Sequence, residues 1–105
     1  MSFFSRWQTR LQGFTEERAW AGFHNPKNLA MALTVEAAEL LECYQWLSPE
    51  QAAALTNSEA GREAVADEMA DVLLYLMQLA RVTGIDLEQA LEHKFAKNAA
   101  KYPAP

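Results

Sequence analysis

The chain contains little cysteine, glycine or proline, and each scarcity limits what kind of protein it can be. Cys43 is the only cysteine among 105 residues, so no disulfide can form within the chain, as expected for a cytoplasmic protein. The four glycines and four prolines form no low-complexity segment and no interdomain linker. Residues 1–105 are therefore predicted to form a single domain.

Long hydrophobic runs and an excess of positive charge are also missing. The longest apolar stretch, MADVLLYLM, includes Asp71 and is too short to cross a bilayer. The first residues, MSFFSRWQTR, contain no sustained apolar run and are not expected to be a signal peptide. The net charge of −5 argues against broad binding to nucleic acid. We therefore expect binding neither to a membrane nor to nucleic acid.

The spacing of apolar residues predicts an all-α protein, a bundle of four main helices with a short connecting helix. No segment alternates apolar and polar residues with a period of two, as a half-buried strand would. Capping residues, prolines and a glycine divide the chain into helical segments. These are predicted at about Phe4 to Trp20, Pro26 to about Leu47, Pro49 to Leu55, about Glu59 to Val82, and Asp86 to a point before Pro103.

The long fourth segment is apolar on nearly every side. Its apolar residues are Val65, Met69, Val72, Leu73, Leu74, Leu76, Met77 and Leu79. A lone bundle of this size has difficulty covering such a helix all the way round. The pattern favours a helix that is central to its bundle and also part of a subunit interface, hence a homodimer or homotetramer.

Two pairs of acidic residues, Glu36/Glu39 and Glu68/Asp71, interrupt the most apolar parts of the chain. Residues three apart on a helix project about 60° from one another, so the members of each pair share a face. Ionised carboxylates are not expected on a core-facing surface unless cations accompany them. Four of them therefore indicate a divalent metal, with Mg²⁺ preferred and Mn²⁺ as a substitute, because both favour hard oxygen ligands.

These acidic residues also fit interpretations other than a magnesium site. Exposed glutamates three apart are common in helices, so one pair alone indicates little; the apolar setting of both pairs is what favours metal. Glu42 continues the first series and either binds the metal or supports a ligand. A di-iron carboxylate bundle is set aside because it needs Glu-x-x-His pairs. Neither His24 nor His93 follows an acidic residue at that spacing.

Longer segments of the chain resemble a known family. They are ERAWAGFHNPKNLAMAL, VEAAELLECYQWL, ADEMADVLLYLMQLA and KFAKNAAKYP. These segments are similar to the all-α nucleoside triphosphate pyrophosphatases of the MazG-like superfamily, and most similar to the small dCTP pyrophosphatase branch. The resemblance implies hydrolysis of a nucleoside triphosphate to its monophosphate and pyrophosphate. It places Glu36, Glu39, Glu68 and Asp71 at the family's magnesium-binding positions.

The implied chemistry suits these residues. Water must attack the α-phosphorus while a charged pyrophosphate leaves, and Mg²⁺ can polarise the phosphate oxygens and activate the water. A carboxylate that is not fully used in metal binding can accept the proton. Glu39, with Glu36 beside it, is predicted for this catalytic role, although the pattern alone does not separate the base from the ligands.

Three residues on one face of the last predicted helix are candidates for binding the triphosphate. Lys94, Asn98 and Lys101 recur at i, i+4 and i+7. Such a face can equally be a solvated basic surface that complements the helix dipole. The resemblance favours contacts to the triphosphate, because the family carries a basic residue and an asparagine at matching places.

Four side chains are candidates for holding the base or sugar of the nucleotide: Trp20, Trp46, Tyr75 and His24. Packing in the core is the ordinary role of tryptophan and tyrosine. The resemblance favours Trp20 and Trp46 as base contacts, while Tyr75 could instead hydrogen-bond a carboxylate. The branch often has a histidine in its first helix where this chain has Leu11 and Gln12, so the identity of the base stays open.

Three functions therefore remain as hypotheses. The first is a Mg²⁺-dependent house-cleaning pyrophosphatase for dCTP or a modified pyrimidine deoxynucleotide. The second is a dUTP or broad-specificity pyrophosphatase on the same scaffold. The third is a non-catalytic helical dimer that binds a nucleotide or a partner protein. It would show no turnover with Mg²⁺, and Glu39→Ala would change only its stability.

Overall fold

The computed structural model describes residues 2–105 as helices joined by short turns. The helices are α1 (Phe3–Glu17), α2 (Pro26–Glu42), α3 (Pro49–Leu55), α4 (Glu59–Thr83) and α5 (Leu87–Lys101). A single 3₁₀ turn, Ala21–Phe23, lies between α1 and α2. No strand occurs in residues 2–105, which confirms the predicted all-α class with four main helices and a short connecting one.

Side-chain caps begin the helices where the sequence predicts. The Asn25 side chain accepts a hydrogen bond from the Asn28 N–H, with Pro26 at the first helical position. Ser48 and Gln51 form a reciprocal capping box at the start of α3. Gly84 ends α4 in the left-handed conformation, with φ of 70°, which an L side chain adopts only at a steric cost.

Two helices end earlier than predicted. The first stops at Glu17 instead of Trp20 because Ala19 adopts a left-handed φ of 55° and the Trp20 N–H donates to the Thr15 carbonyl. This reversal turns Trp20 back alongside α1. The second stops at Glu42 instead of Leu47, because the following N–H groups donate to carbonyls only three residues earlier and tighten the chain into turns.

Helix α4 is the centre of the fold, since α2 packs along it and α1 packs against it as well. The buried apolar side chains are Leu29 of α2 and Val65, Met77 and Ala80 of α4. By contrast, every residue from 91 to 105 is exposed, so most of α5 lies outside this core. The radius of gyration is 16.6 Å, against about 13 Å for a compact domain of this length. No helix in residues 2–105 has the length and apolar character needed to span a membrane.

The start of α4 depends on a close approach that only glycine permits. A Cβ added at Gly61 would collide with the Leu55 carbonyl at the end of α3. We expect Gly61→Ala to lower the free energy of unfolding by about 1–3 kcal/mol, measured by urea denaturation.

Gly13 provides the matched control for this substitution. It lies inside α1, and a Cβ built there meets no atom within 4 Å. Gly13→Ala is therefore expected to stabilise the protein by up to about 1 kcal/mol, because alanine is the better helix former. Equal effects of the two substitutions would contradict the close approach of Gly61 to the Leu55 carbonyl.

Candidate active site

The contact between α2 and α4 brings together the acidic residues that the sequence singled out. One carboxylate oxygen from each of Glu36, Glu39 and Glu68 lies within 4.8 Å of the other two. Asp71, one helical turn after Glu68, is near enough for its charge to raise the pKa of both Glu36 and Glu68. Three of the four predicted metal ligands therefore lie around one point between α2 and α4, and Asp71 lies nearby.

Negative charge predominates in this cluster of carboxylates. Burial, hydrogen bonding to Glu39 and the neighbouring negative charges raise the pKa of Glu36 to about 7. Burial, followed by the charge of Glu39, also raises the pKa of Glu68. Within residues 2–105 the one salt bridge joins Arg18 to Glu17, at 3.6 Å, and no lysine or arginine pairs with the cluster.

Two carboxylate oxygens of the cluster show what the site is suited to bind. Oε2 of Glu36 and Oε2 of Glu68 are buried, and neither has a hydrogen-bond partner among residues 2–105. Buried polar atoms are normally satisfied, so unpaired carboxylate oxygens suit the binding of a cation. Several carboxylates at this spacing are the hard-oxygen donor set that Mg²⁺ or Mn²⁺ prefers. The residues present fit a divalent metal.

An aromatic cleft adjoins the carboxylates. Two cavities, with volumes of about 240 and 410 Å³, share Trp20, His24 and Tyr75 in their walls. Asp71 also lines the smaller cavity, which therefore borders the acidic cluster. Three of the four predicted base-binding side chains thus lie in one cleft, next to the predicted metal ligands.

The wall on the α1 side consists of aromatic rings that contact one another at steep angles. The ring centroids of Phe14 and Trp20 are 5.7 Å apart in an edge-to-face arrangement, and those of Trp20 and His24 are 6.4 Å apart. Burial and the nearby Arg81 charge lower the pKa of His24, which favours its neutral imidazole. Its Nδ1 is buried without a hydrogen-bond partner in residues 2–105. The cleft thus offers apolar surface with a few polar atoms.

Four residues that line the smaller cavity were not among the predicted site residues: Leu11, Phe14, Leu74 and Gln78. The first two lie on the apolar stripe of α1, which resembles ordinary core spacing. Gln78 is only 5% exposed and lies within the apolar stretch LLYLMQLA. A single amide in such a stretch is the signal that could have identified it.

The remaining predicted site residues lie elsewhere in the single chain. Trp46 follows α2 and is 87% exposed. Lys94, Asn98 and Lys101 are exposed on α5. None of the four lines either cavity of the aromatic cleft. Their roles in substrate binding stay predictions.

Comparison with known proteins places the chain in a family. The model of the MazG-like family matches residues 31–105. The chain belongs to the MazG-like family. This confirms the resemblance drawn from the acidic helices and the flanking segments. It also accounts for the all-helical architecture, since a solved pyrophosphatase from Archaeoglobus fulgidus superposes with a TM-score of 0.91. That structure is 35% identical, and the match covers 99% of this chain and 95% of the other.

Curated relatives of this MazG-like chain include mammalian enzymes. The bovine protein named dCTP pyrophosphatase 1 is 40% identical over 90 residues, which is 86% of this chain and 53% of the bovine one. The human protein of the same name is 40% identical over 91 residues, 87% of this chain and 54% of the human one. The chain thus spans about half the length of these relatives.

The raised pKa of Glu36 predicts how stability depends on pH when no metal is present. Between its ordinary pKa of 4.5 and about 7, the folded protein keeps a proton that the unfolded chain has lost. The free energy of unfolding should therefore fall as pH rises through that window and level off above it. Thermal unfolding in EDTA checks this, and Glu36→Gln should flatten the decline.

The stabilisation by added Mg²⁺ should increase with pH, because a metal binds the deprotonated carboxylates. The rise in melting temperature caused by Mg²⁺ is expected to be small near pH 5 and larger near pH 8. It should be reduced in Glu36→Gln. A rise that is independent of pH, or unchanged in the variant, would argue against metal binding at this cluster.

Proposed function

We propose that this protein is a Mg²⁺-dependent nucleotide pyrophosphohydrolase that converts a nucleoside triphosphate to its monophosphate and pyrophosphate. The observation that carries the proposal is the convergence of three carboxylates, with Asp71 nearby and no salt-bridge partner among residues 2–105, beside an aromatic cleft. The similarity to proteins named dCTP pyrophosphatase 1 supports dCTP or a modified pyrimidine deoxynucleotide as the substrate. The lone Cys43 favours the cytoplasm as the compartment.

The carboxylates divide the chemistry between binding and proton transfer. Glu36, Glu39, Glu68 and Asp71 would hold the cation. When bound, Mg²⁺ would offset the triphosphate charge, polarise its phosphate oxygens and lower the pKa of an attacking water. Glu39 interacts with both Glu36 and Glu68 and so lies at the centre of the cluster. It is the proposed base, which takes a proton from the water as the bond to the departing pyrophosphate breaks.

The aromatic cleft would hold the nucleoside part of the substrate. Trp20 and Tyr75 offer faces for stacking, which contributes about 1–3 kcal/mol per base in single-strand complexes. The neutral imidazole of His24 can exchange a hydrogen bond with the base or sugar. Since Asp71 borders both the cleft and the cluster, a nucleotide bound there would direct its phosphates toward the metal.

A dUTP or broad-specificity pyrophosphatase is the second candidate. Leu11, which lines the smaller cavity, and Gln12 occupy the region of the first helix in which the dCTP branch often carries a histidine. An apolar side chain there offers no hydrogen bond to the base, which leaves room for uracil and other bases.

The exposed surface supports an oligomer. The chain exposes 7931 Å², about 2,000 Å² more than the roughly 5,900 Å² expected for a folded monomer of this mass. Large apolar side chains contribute to it, including Leu41, Met69 and Phe95, which are 57–78% exposed. We infer a homodimer or homotetramer in which α5 packs against another subunit. Lys94, Asn98 and Lys101 would then contact the triphosphate bound in a neighbouring site.

The enzymatic proposal is tested by pyrophosphate release from a panel of nucleoside triphosphates, with Mg²⁺ and with EDTA. We expect turnover only with the metal and highest activity on a pyrimidine deoxynucleotide. Glu39→Gln should lower kcat by about 100-fold or more while the protein stays folded, because the base and one ligand are lost.

Glu63→Gln is the control, since Glu63 is an exposed carboxylate of α4 outside the cluster. Its activity should equal that of the wild type. Wild-type protein that releases no pyrophosphate from any nucleotide, or an active Glu39→Gln variant, would refute the proposal and favour a non-catalytic binding protein.

The oligomer is tested by sedimentation velocity. The wild type should sediment as a multiple of 11.8 kDa, and Phe95→Glu should shift it toward the monomer and reduce turnover, because a charge would be buried in the interface. Gln89→Glu adds the same charge at another exposed position of α5 and should change neither property. An active wild type that sediments as a monomer would contradict an active site shared between subunits.

A further inference from the structure

Gln78 makes two hydrogen bonds whose partners come from two helices. Its Nε2 donates to Thr15 Oγ1 of α1 at 3.0 Å, and its Oε1 accepts from Arg81 Nε of α4 at 2.9 Å. A primary amide has two N–H donors and an oxygen with two lone pairs. One donor and one lone pair of Gln78 therefore remain available.

The orientation of this amide is fixed by the chemistry of its neighbours. A guanidinium group only donates, so the amide oxygen must face Arg81 and the NH₂ group must face Thr15. A flipped amide would bring two sets of donors together. Gln78 thus presents its donor and its acceptor in one defined arrangement, and being 95% buried it has little freedom to rearrange.

Gln78 lies in the wall of the smaller cavity, next to apolar side chains such as Leu11 and Leu74. Burying an amide in such surroundings is costly unless its hydrogen bonds are made. Triphosphate oxygens would use only the donor, whereas the edge of a nucleobase presents donors and acceptors side by side. The cavity volume of about 240 Å³ is below the roughly 300–1,000 Å³ of whole small-molecule sites, which suits a single ring.

The position of Gln78 on α4 matches the length of a nucleotide. Glu68, Asp71, Tyr75 and Gln78 follow one another at spacings of three, four and three residues. They therefore share a sector of about 80° on the helix surface, and Gln78 lies about 10 Å further along the axis than Asp71. One face of α4 thus extends from the carboxylate cluster to the far end of the aromatic cleft.

We propose that Gln78 determines base specificity: its locked amide hydrogen-bonds the edge of a pyrimidine held in the smaller cavity, while Thr15 and Arg81 position it. The inference rests on the proposed function. Cytosine carries a donor at C4 where uracil and thymine carry an acceptor. An amide that cannot flip matches one of these arrangements and mismatches the other, so Gln78 sets the preference between cytosine and uracil nucleotides.

The test compares kcat and KM for dCTP and dUTP in wild type and Gln78→Met, which keeps the volume and removes both polar atoms. The wild type should prefer one of the two nucleotides. In Gln78→Met the ratio of their kcat/KM values should fall by about tenfold or more, mainly through KM of the preferred nucleotide, since the buried hydrogen bonds are lost. The kcat values should stay within about threefold, because the carboxylates are untouched.

Two further variants separate recognition from packing. Gln8→Met is the matched control: Gln8 Nε2 donates to the Met77 carbonyl in the same α1–α4 interface but lies outside both cavities of the cleft. It should leave the dCTP/dUTP ratio unchanged. Thr15→Val removes one of the two hydrogen bonds that position the amide of Gln78. It should therefore lower the dCTP/dUTP ratio less than Gln78→Met does. It also serves as the test if Gln78→Met does not fold.

The outcomes distinguish the inference from the function on which it rests. An active wild type without preference between dCTP and dUTP overturns the role of Gln78 and leaves the pyrophosphatase proposal standing. The role of Gln78 is also overturned if folded Gln78→Met keeps the wild-type dCTP/dUTP ratio, or if Gln8→Met lowers that ratio as much as Gln78→Met does. A wild type that is inactive on every nucleotide refutes both the pyrophosphatase proposal and the role of Gln78.

Discussion

Mutual repulsion among four carboxylates is the constraint on which this structure depends. The helices that supply them, α2 and α4, form the main contact of the fold, so the charges cannot separate without loosening that contact. Burial, together with the neighbouring carboxylates, raises the pKa of Glu36 to about 7, and protonation relieves part of the repulsion. A divalent cation would relieve more of it, because it bonds to the oxygens and offsets several charges at once. If the cluster binds a metal as proposed, folding stability and metal binding would be linked through the same few atoms.

The acidic cluster could be predicted because its signal is local. Spacing of three residues places two carboxylates on one helix face, and an apolar setting makes that face part of an interface. The helix starts at Asn25, Ser48 and Asp86 were equally predictable, since each cap bonds to a backbone N–H only a few residues away. The family followed from the same segments, and the match over residues 31–105 confirms it.

The aromatic cleft was harder to predict because it depends on contacts between distant parts of the chain. Thr15 and Gln78 are 63 residues apart, and their hydrogen bond exists only once α1 lies on α4. The turn that returns Trp20 to the cleft depends on a left-handed alanine, a conformation for which alanine has no propensity. The separation of α5 from the core likewise follows from tertiary packing, since its amphipathic pattern resembles that of a packed helix.

Because one face of α4 carries residues of both the cluster and the cleft, the proposed metal binding and the proposed base recognition would share one helix as their support. Glu68 and Gln78 are ten residues apart, a rise of about 15 Å along the helix. Changes at sites this far apart usually have additive effects on free energy. A substitution at position 78 would therefore alter which base is accepted without disturbing the carboxylates, whereas Tyr75 lies only one helical turn beyond Asp71. On the proposed function, such a scaffold would change its nucleotide preference through cleft residues distant from the cluster while its hydrolytic chemistry stays the same.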